Sequence, residues 1–358
     1  MRPPPMLAAA LLTLPATAAQ AQDLPPAGAA MAASLRAAHA AGDLPGLHAV
    51  VVLKDGALFA EAYFDGEDEA WGRPLGVTEH GPRVLHDIRS VTKSVVSLLY
   101  GIALEAGRVP PPEASLYAQF PEHADLAADP ARAGIRIEHA LSMSMGLEWN
   151  EDLPYSDPRN SEIAMEFSPD RYRYALEQPV VHAPGDVWTY SGGATALIGR
   201  LIERGVGKPL DVYAAETLFE PLGMDWEWLR LEGGPPSAAS GLRMTPRGLA
   251  RLGQLILDGG VADGRRLIPE GWFARATEPR LQTAGPLRYG LFWWLAPGED
   301  APAWAAGIGN GGQRLSINRD LGLVLVVLAG RYNDFEAWRL SHDISVEHLG
   351  PALERAGR

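Results

Sequence analysis

Strand-forming sequence sits at the two ends of this chain, and the long stretch between them carries mainly helical patterning. Near the N-terminus, LHAVVVLKDGALFAEAYFDG (47–66) sets two β-rich runs around Lys54-Asp55-Gly56. Asp-Gly between such runs is a hairpin signal. Near the C-terminus, RYGLFWWLA (288–296), AWAAGIG (303–309), GQRLSIN (312–318) and LGLVLVVLAG (321–330) follow one another with short turns. An opening helix over 29–41 and a closing amphipathic helix over 335–348 flank them. Trp71 to Arg83 has the Gly/Pro content of a loop. Between Pro110 and about Gln282 helices are expected over 135–143, 170–177, 193–203, 210–222 and 245–257. This order predicts an α+β fold: one antiparallel sheet formed from both ends of the chain (about 44–107 and 283–350), flanked by helices, with a mainly helical inserted region (about 108–282).

The stretch that carries chemistry is HDIRSVTKSVVSLLYGIALEAG, from His86 to Gly107. Val91, Val95, Leu98, Leu99 and Ile102 recur at helical spacing, and Gly107 suits a C-terminal stop. Ser90 stands at the helix start with Lys93 one turn on, so hydroxyl and amine share a face. The helix N-terminus and burial together favour a neutral lysine, which can take the serine proton. The same residues also suit a plain helix cap followed by an exposed first-turn lysine. Only Lys54, Lys93 and Lys208 are lysines in the whole sequence, and an apolar helix is a poor place for a decorative charge.

Composition narrows the alternatives. The 358 residues are 47% hydrophobic and 21% charged, which suits a globular chain with a substantial core. A formal net charge of −13 and the lack of any basic run argue against a nucleic-acid partner. Cysteine is absent, which removes disulfides, thiolate nucleophiles and cysteine-ligated metals. The nine histidines are scattered and none sits in His-Glu-x-x-His, so no metal site is expected. Arg2, an apolar run from Met6 to Ala19, and Ala19-Gln20-Ala21 have the form of a secretory signal over 1–21, cleaved after Ala21. The expected product is periplasmic or secreted, with no membrane span after cleavage.

No serine lies in Gly-x-Ser-x-Gly. GIGNGG fits Gly-x-Gly-x-x-Gly through Gly307, Gly309 and Gly312, but strand sequence follows it where a dinucleotide site needs a helix. Two stretches gain meaning beside Ser90. Tyr190, ahead of a glycine pair and a helix, could relay a proton or simply pack on Trp188. The glycine-dense 307–314 segment could present an oxyanion-binding N–H to substrate or form a bulge. The loop Trp149-Asn150-Glu151-Asp152 either meets an amine-bearing substrate through Asp152 or is a solvated acidic turn.

Taken in order, these motifs resemble the serine β-lactamase and penicillin-binding-protein superfamily, on its class C and esterase side. Ser90-Val91-Thr92-Lys93 resembles Ser-x-x-Lys, Tyr190-Ser191-Gly192 stands where the family has Tyr-x-Asn, and Gly309-Asn310-Gly311-Gly312 stands where Lys-Thr-Gly or His-x-Gly is expected. LSMSMGLEW, GLRMTPRGLARLGQLI, YGLFWWL and GNGGQR are further shared phrases. The resemblance implies a Ser90 acyl-enzyme with Lys93 and Tyr190 as proton-transfer groups. It implies an oxyanion hole from the Ser90 and Gly312 N–H groups, substrate contacts at Gly311 and Asn310, and no cofactor. Two departures qualify it: Gly192 replaces the motif's Asn, and the third motif has no Lys or His to hold a substrate carboxylate. The pattern is closer to 6-aminohexanoate-dimer hydrolases and related esterases, which act on small linear amides or esters. A D-Ala-D-Ala carboxypeptidase or class C-like β-lactamase, and a non-catalytic ligand-binding homologue, are the other readings.

Overall fold

The computed structural model describes residues 24–296 and 303–357; the signal-like segment 1–21 lies outside them. Helix α1 (Pro26–Ala41) leads into β1 (Leu47–Lys54) and β2 (Ala57–Tyr63). Their turn holds Asp55 at φ 49° and Gly56 at φ 81°, the left-handed pair that a tight hairpin needs. The expected loop over 71–83 instead contains half of a second hairpin, β3 (Gly66–Ala70) and β4 (Arg73–Thr78), turned at Trp71-Gly72. Short β5 (His86–Asp87) then feeds α2 (Val91–Glu105).

The inserted region holds α3 (Ala124–Ala127), α4 (Ile137–Leu141), α5 (Ser161–Glu166), α6 (Arg171–Glu177), α7 (Gly192–Val206), α8 (Leu210–Ala214) and α9 (Pro246–Leu257). It also contributes β6 (Trp226–Trp228) and β7 (Leu242–Met244), which join β5 in a small sheet of order β5-β7-β6. The helix expected over 210–222 widens into a π-turn at Ala215–Phe219. After β8 (Val261–Ala262), β9 (Arg265–Arg266) and α10 (Trp272–Ala276), the chain returns to the main sheet as β10 (Leu281–Gln282), β11 (Arg288–Tyr289), β12 (Trp294–Ala296), β13 (Trp304–Gly309), β14 (Gln313–Asn318) and β15 (Leu323–Ala329). The closing helix begins as α11 (Trp338–Asp343) and runs on to α12 (Gly350–Ala356).

The main sheet is antiparallel in the order β10-β11-β12-β13-β14-β15-β1-β2, so β15 from one end of the chain pairs with β1 from the other. Both faces are covered. Val50, Val52, Leu325 and Val327 pack with Leu35, Leu340 and Ile344 on one side, while Val51, Leu315, Val324 and Val326 pack with α2 and α9 on the other. Double coverage explains why β1 and β15 are continuous apolar runs without alternation. The single strand expected over 288–296 is two strands around a turn at Gly290–Trp293, with Phe292 at φ 61°. That turn is held from outside: Ser94 Oγ donates to the Phe292 carbonyl (2.8 Å) and Ser97 Oγ to the Leu291 carbonyl (2.7 Å). Two buried serines of α2 thus tie the helix to the sheet edge. No helix among the described residues is long and apolar enough to cross a membrane.

Candidate active site

Ser90 enters α2 under constraint. Arg89 before it takes a left-handed conformation, φ 47°, a costly choice for a side-chain-bearing residue. Its guanidinium is anchored by Glu69, by Asp87 (Nε to Oδ2, 3.3 Å) and over the Tyr332 ring at 4.7 Å. Ser90 is the N-cap residue of α2, yet its side chain caps nothing. Instead Lys93 Nζ donates to Ser90 Oγ at 3.1 Å, within the fully buried first turn. The arrangement therefore departs from a plain helix cap with an exposed lysine.

Lys93 Nζ also donates to the Ala239 carbonyl (3.0 Å) and to Glu162 Oε2 (3.2 Å), and lies 4.8 Å from the Tyr190 ring centroid. Burial pushes Lys93 down, but Glu162, Tyr190 and Glu151 together more than reverse this and hold it well above the usual lysine range. The expectation of a neutral lysine is corrected: a buried carboxylate keeps Lys93 as an ammonium ion. Tyr190 lines the same cleft beside the Ser90 hydroxyl. Burial raises its hydroxyl, and Lys93 opposes the shift.

Glu162 explains the glycine in the Tyr-x-Asn position. It is fully buried on α5, with Asn160 capping that helix through its side chain. Its Oε1 accepts from Ser240 Oγ (2.6 Å) and its Oε2 from Lys93. A Cβ added at Gly192 would stand 2.3 Å from Glu162 Oε2, so the space of a side chain at 192 is taken by the carboxylate from α5. A second carboxylate, Glu151, accepts from the Gly192 N–H (2.5 Å), Trp149 Nε1 (2.6 Å) and the Tyr155 hydroxyl (2.8 Å). Burial and the Glu162 charge raise Glu151 to about 7. A carboxyl raised on folding stabilises below its unfolded value and loses that contribution as pH climbs through the folded one. Thermal melts should thus show wild-type stability falling between about pH 5 and pH 8 relative to Glu151→Gln. Parallel melting curves for the two proteins would refute this.

The cleft, about 350 Å³, is lined by Ser90, Tyr155, Tyr190, Trp294, the 309–314 turn and Trp338. Gly309-Asn310-Gly311-Gly312 connects β13 to β14, with Gly311 at φ 90° and Gly312 at φ 95°, so the motif lies between two strands and no helix follows it. Buried Gln313 fixes this turn, donating to the carbonyls of Ala329 (2.5 Å) and Asn310 (3.3 Å). Asn310 reaches the cleft wall, but its side-chain oxygen accepts from the Asn333 N–H (3.0 Å), and Asn333 Oδ1 in turn accepts from the Tyr155 N–H (2.8 Å). Asp152 is exposed and outside this set of lining residues; its N–H donates to Asn150 Oδ1 (2.9 Å), an acidic turn facing water. The structure thus gathers Ser90, Lys93, Tyr190, Asn310, Gly311 and Gly312, and leaves Asp152 aside.

Residues missed from the sequence are Glu162, Glu151, Tyr155 and Arg314. The missing Asn at 192 was a signal that something else meets Lys93, but not that it comes from a helix thirty residues earlier. Arg314, on β14, lines the cleft with only Ser316 Oγ as a side-chain partner (2.9 Å) among the described residues. Burial lowers its guanidinium to about 10. A cation therefore does face the cleft, from beyond the third motif. The histidines are not all scattered either: His48, His80 and His86 converge with Asp68 in a buried cluster outside the cleft.

The chain is similar to several known proteins. The 6-aminohexanoate-dimer hydrolase of Paenarthrobacter ureafaciens is 25% identical over 304 residues, covering 78% of this chain and 72% of that protein. The solved structure of a candidate 6-aminohexanoate-dimer hydrolase from Bacillus anthracis superposes with a TM-score of 0.71 at 20% identity, over 88% of this chain and 82% of that one. A penicillin-binding-protein homologue from Caulobacter crescentus gives 0.67 at 20% identity, over 88% and 96%. These two structural likenesses establish the fold. The family model for Beta-lactamase matches residues 31–341, from α1 through α11, and the chain accordingly belongs to the Beta-lactamase family of hydrolases.

Proposed function

We propose that this protein is an exported serine hydrolase that cleaves carboxylic esters or small linear amides through a Ser90 acyl-enzyme. The observation that carries the reading is the Lys93–Ser90 contact of 3.1 Å inside a cleft shared with Tyr190. Ser90 Oγ attacks the carbonyl carbon as its proton passes to the phenolate form of Tyr190, the minor form that the adjacent Lys93 ammonium ion stabilises against the effect of burial. The N–H groups of Ser90 and Gly312 hold the tetrahedral oxyanion. Tyr190 returns the proton to the departing alcohol or amine. Water then attacks the acyl-enzyme by the reverse path, releasing the acid and free Ser90.

Arg314 bears on substrate class. Its guanidinium at the cleft wall suits an acyl or leaving group that ends in a carboxylate, as a dimer of 6-aminohexanoate does. The same cation is the one observation that favours the second reading, a β-lactam or peptide-stem substrate. The test uses p-nitrophenyl esters, one neutral and one carboxylate-terminated, with intact-mass detection of the acyl-enzyme. Turnover of both is expected, with an adduct on wild type and none on Ser90→Ala. Arg314→Ala is expected to raise KM about tenfold for the carboxylate ester alone, the loss of one charge-assisted contact. The absence of both p-nitrophenol release and an adduct on Ser90 would overturn the proposal, and acylation by penicillin with no ester turnover would replace it with the second reading.

A further inference from the structure

Four segments that the reaction does not use meet on the far side of the Ser90 strap. His48 comes from β1, Asp68 from β3, His80 from the segment after β4, and His86 from β5. One ligand atom from each lies within 4.8 Å of the others, and all four residues are more than nine-tenths buried. Two of them sit where strand register breaks: β1 slips against β15 at His48, and β3 slips against β4 beside Asp68. Bulges of this kind re-aim a side chain out of the regular pleat.

The donor atoms are prepared for a cation. His86 Nδ1 donates to the Asp87 carbonyl (2.8 Å), which places the ring proton there and leaves the Nε2 lone pair as an acceptor, the role it plays toward His48 Nδ1. That Nε2 is 2.9 Å from His48 Nδ1 and 3.6 Å from Asp68 Oδ1. His80 Nε2 is 4.0 Å from Asp68 Oδ2, and neither of these two atoms has a hydrogen-bond partner. Ligand atoms of a tetrahedral zinc site stand about 3.3 Å apart, which these separations bracket. The Asp68 side chain is fully enclosed, and among the described residues its ion-pair partners are His80 and His86 alone. A buried carboxylate facing imidazoles and two orphaned polar atoms is costly without a positive charge. Tyr332 supplies the outer contact, its hydroxyl donating to Asp68 Oδ1 (2.9 Å).

We propose that His48, Asp68, His80 and His86 form a closed, structural zinc(II) site. Three imidazoles and one carboxylate suit zinc over magnesium or calcium, which favour all-oxygen shells. Four protein ligands leave no open position for chemistry, so the ion's role is to fasten chain segments. His86 is four residues from Ser90, and Tyr332 follows Arg331, whose N–H donates to the Gly311 carbonyl (3.2 Å). The ion would fasten both the strap that delivers the nucleophile and the loop behind the glycine turn.

The test is zinc content and binding by the purified full chain, before and after stripping with a chelator. Native mass spectrometry should find one zinc per chain, and zinc added to stripped protein should restore a higher Tm. Cobalt(II) in its place should give the intense visible absorption of a four-coordinate ion. His80→Gln should weaken zinc binding at least tenfold, and Tyr332→Phe, which keeps every ligand, about tenfold. Stripped protein that takes up no zinc and melts unchanged would overturn the site. Zinc binding by both variants as tight as that of the wild type would equally overturn it, by assigning the metal to other histidines.

Discussion

Replacing Lys93 by Met should lower kcat/KM for p-nitrophenyl esters about 10³- to 10⁴-fold, and adding Ser90→Ala to it should cost almost nothing more. Non-additivity is expected because the two side chains act as one unit across a 3.1 Å contact. Methionine keeps the unbranched shape of the stem but removes the charge that Glu162 and Ser90 both face. It also strands the Glu162 carboxylate in a fully buried site, which should destabilise the fold by about 3–5 kcal/mol. Thermal melts separate the two effects. Lys93→Met/Glu162→Gln removes the stranded charge and should regain much of the lost Tm without regaining turnover. A Lys93→Met protein within tenfold of wild-type activity would rule out the Ser90–Lys93 couple as the machinery.

Gly192→Asn, which writes the family's Tyr-x-Asn motif into this chain, should be harmful here. The new Cβ would stand 2.3 Å from Glu162 Oε2 and 2.8 Å from Glu162 Cδ and Cγ. The helix start at 192 is tied down by its N–H bond to Glu151, so the Glu162 carboxylate is the part that must move, away from Lys93 and Ser240. We expect a loss of about 10²-fold in kcat/KM, with a fall in stability of about 1–3 kcal/mol from overpacking. Glu162→Ala added to Gly192→Asn opens the space and lets the asparagine face Lys93, so the double variant should exceed the single by at least tenfold. A single variant within twofold of wild type, or a double variant no better than the single, would show that position 192 is not coupled to Glu162.

Much of the fold was legible because its signals are local. The Asp55-Gly56 turn, the 3.6-residue period of α2, the Thr245-Pro246 start of α9 and the strand sequences of β13 to β15 each lie within a short window, and each formed as expected. The errors fell where distant contacts decide. RYGLFWWLA has too few turn residues to announce a turn, and that turn exists because α2 serines bond its carbonyls. The Trp71–Arg83 segment looked like loop, yet β4 pairs with β3 in a hairpin whose β3 packs against β5.

The site divides in the same way. Ser90 and Lys93 are three residues apart on one helix, so helical geometry alone brings them together, and Tyr190 and the 309–312 turn followed from motif order. The protonation of Lys93 did not follow. It depends on Glu162, which is 69 positions away and becomes a partner only when α5 packs beside α7. The side chain absent at Gly192 and the carboxylate that fills its space are likewise one feature in three dimensions and two unrelated residues in the sequence. His48, Asp68, His80 and His86 have no common spacing and meet through two bulges and a strap. By itself, then, the sequence determined the two-ended sheet, the nucleophile helix and the Ser90–Lys93 pair, because those depend on periodicity and near neighbours. Only the tertiary structure decided the charge state of the lysine, the role of the glycine beside it, the cation in the cleft and the histidine cluster behind it. Those depend on burial and on charges brought within a few ångströms from far along the chain.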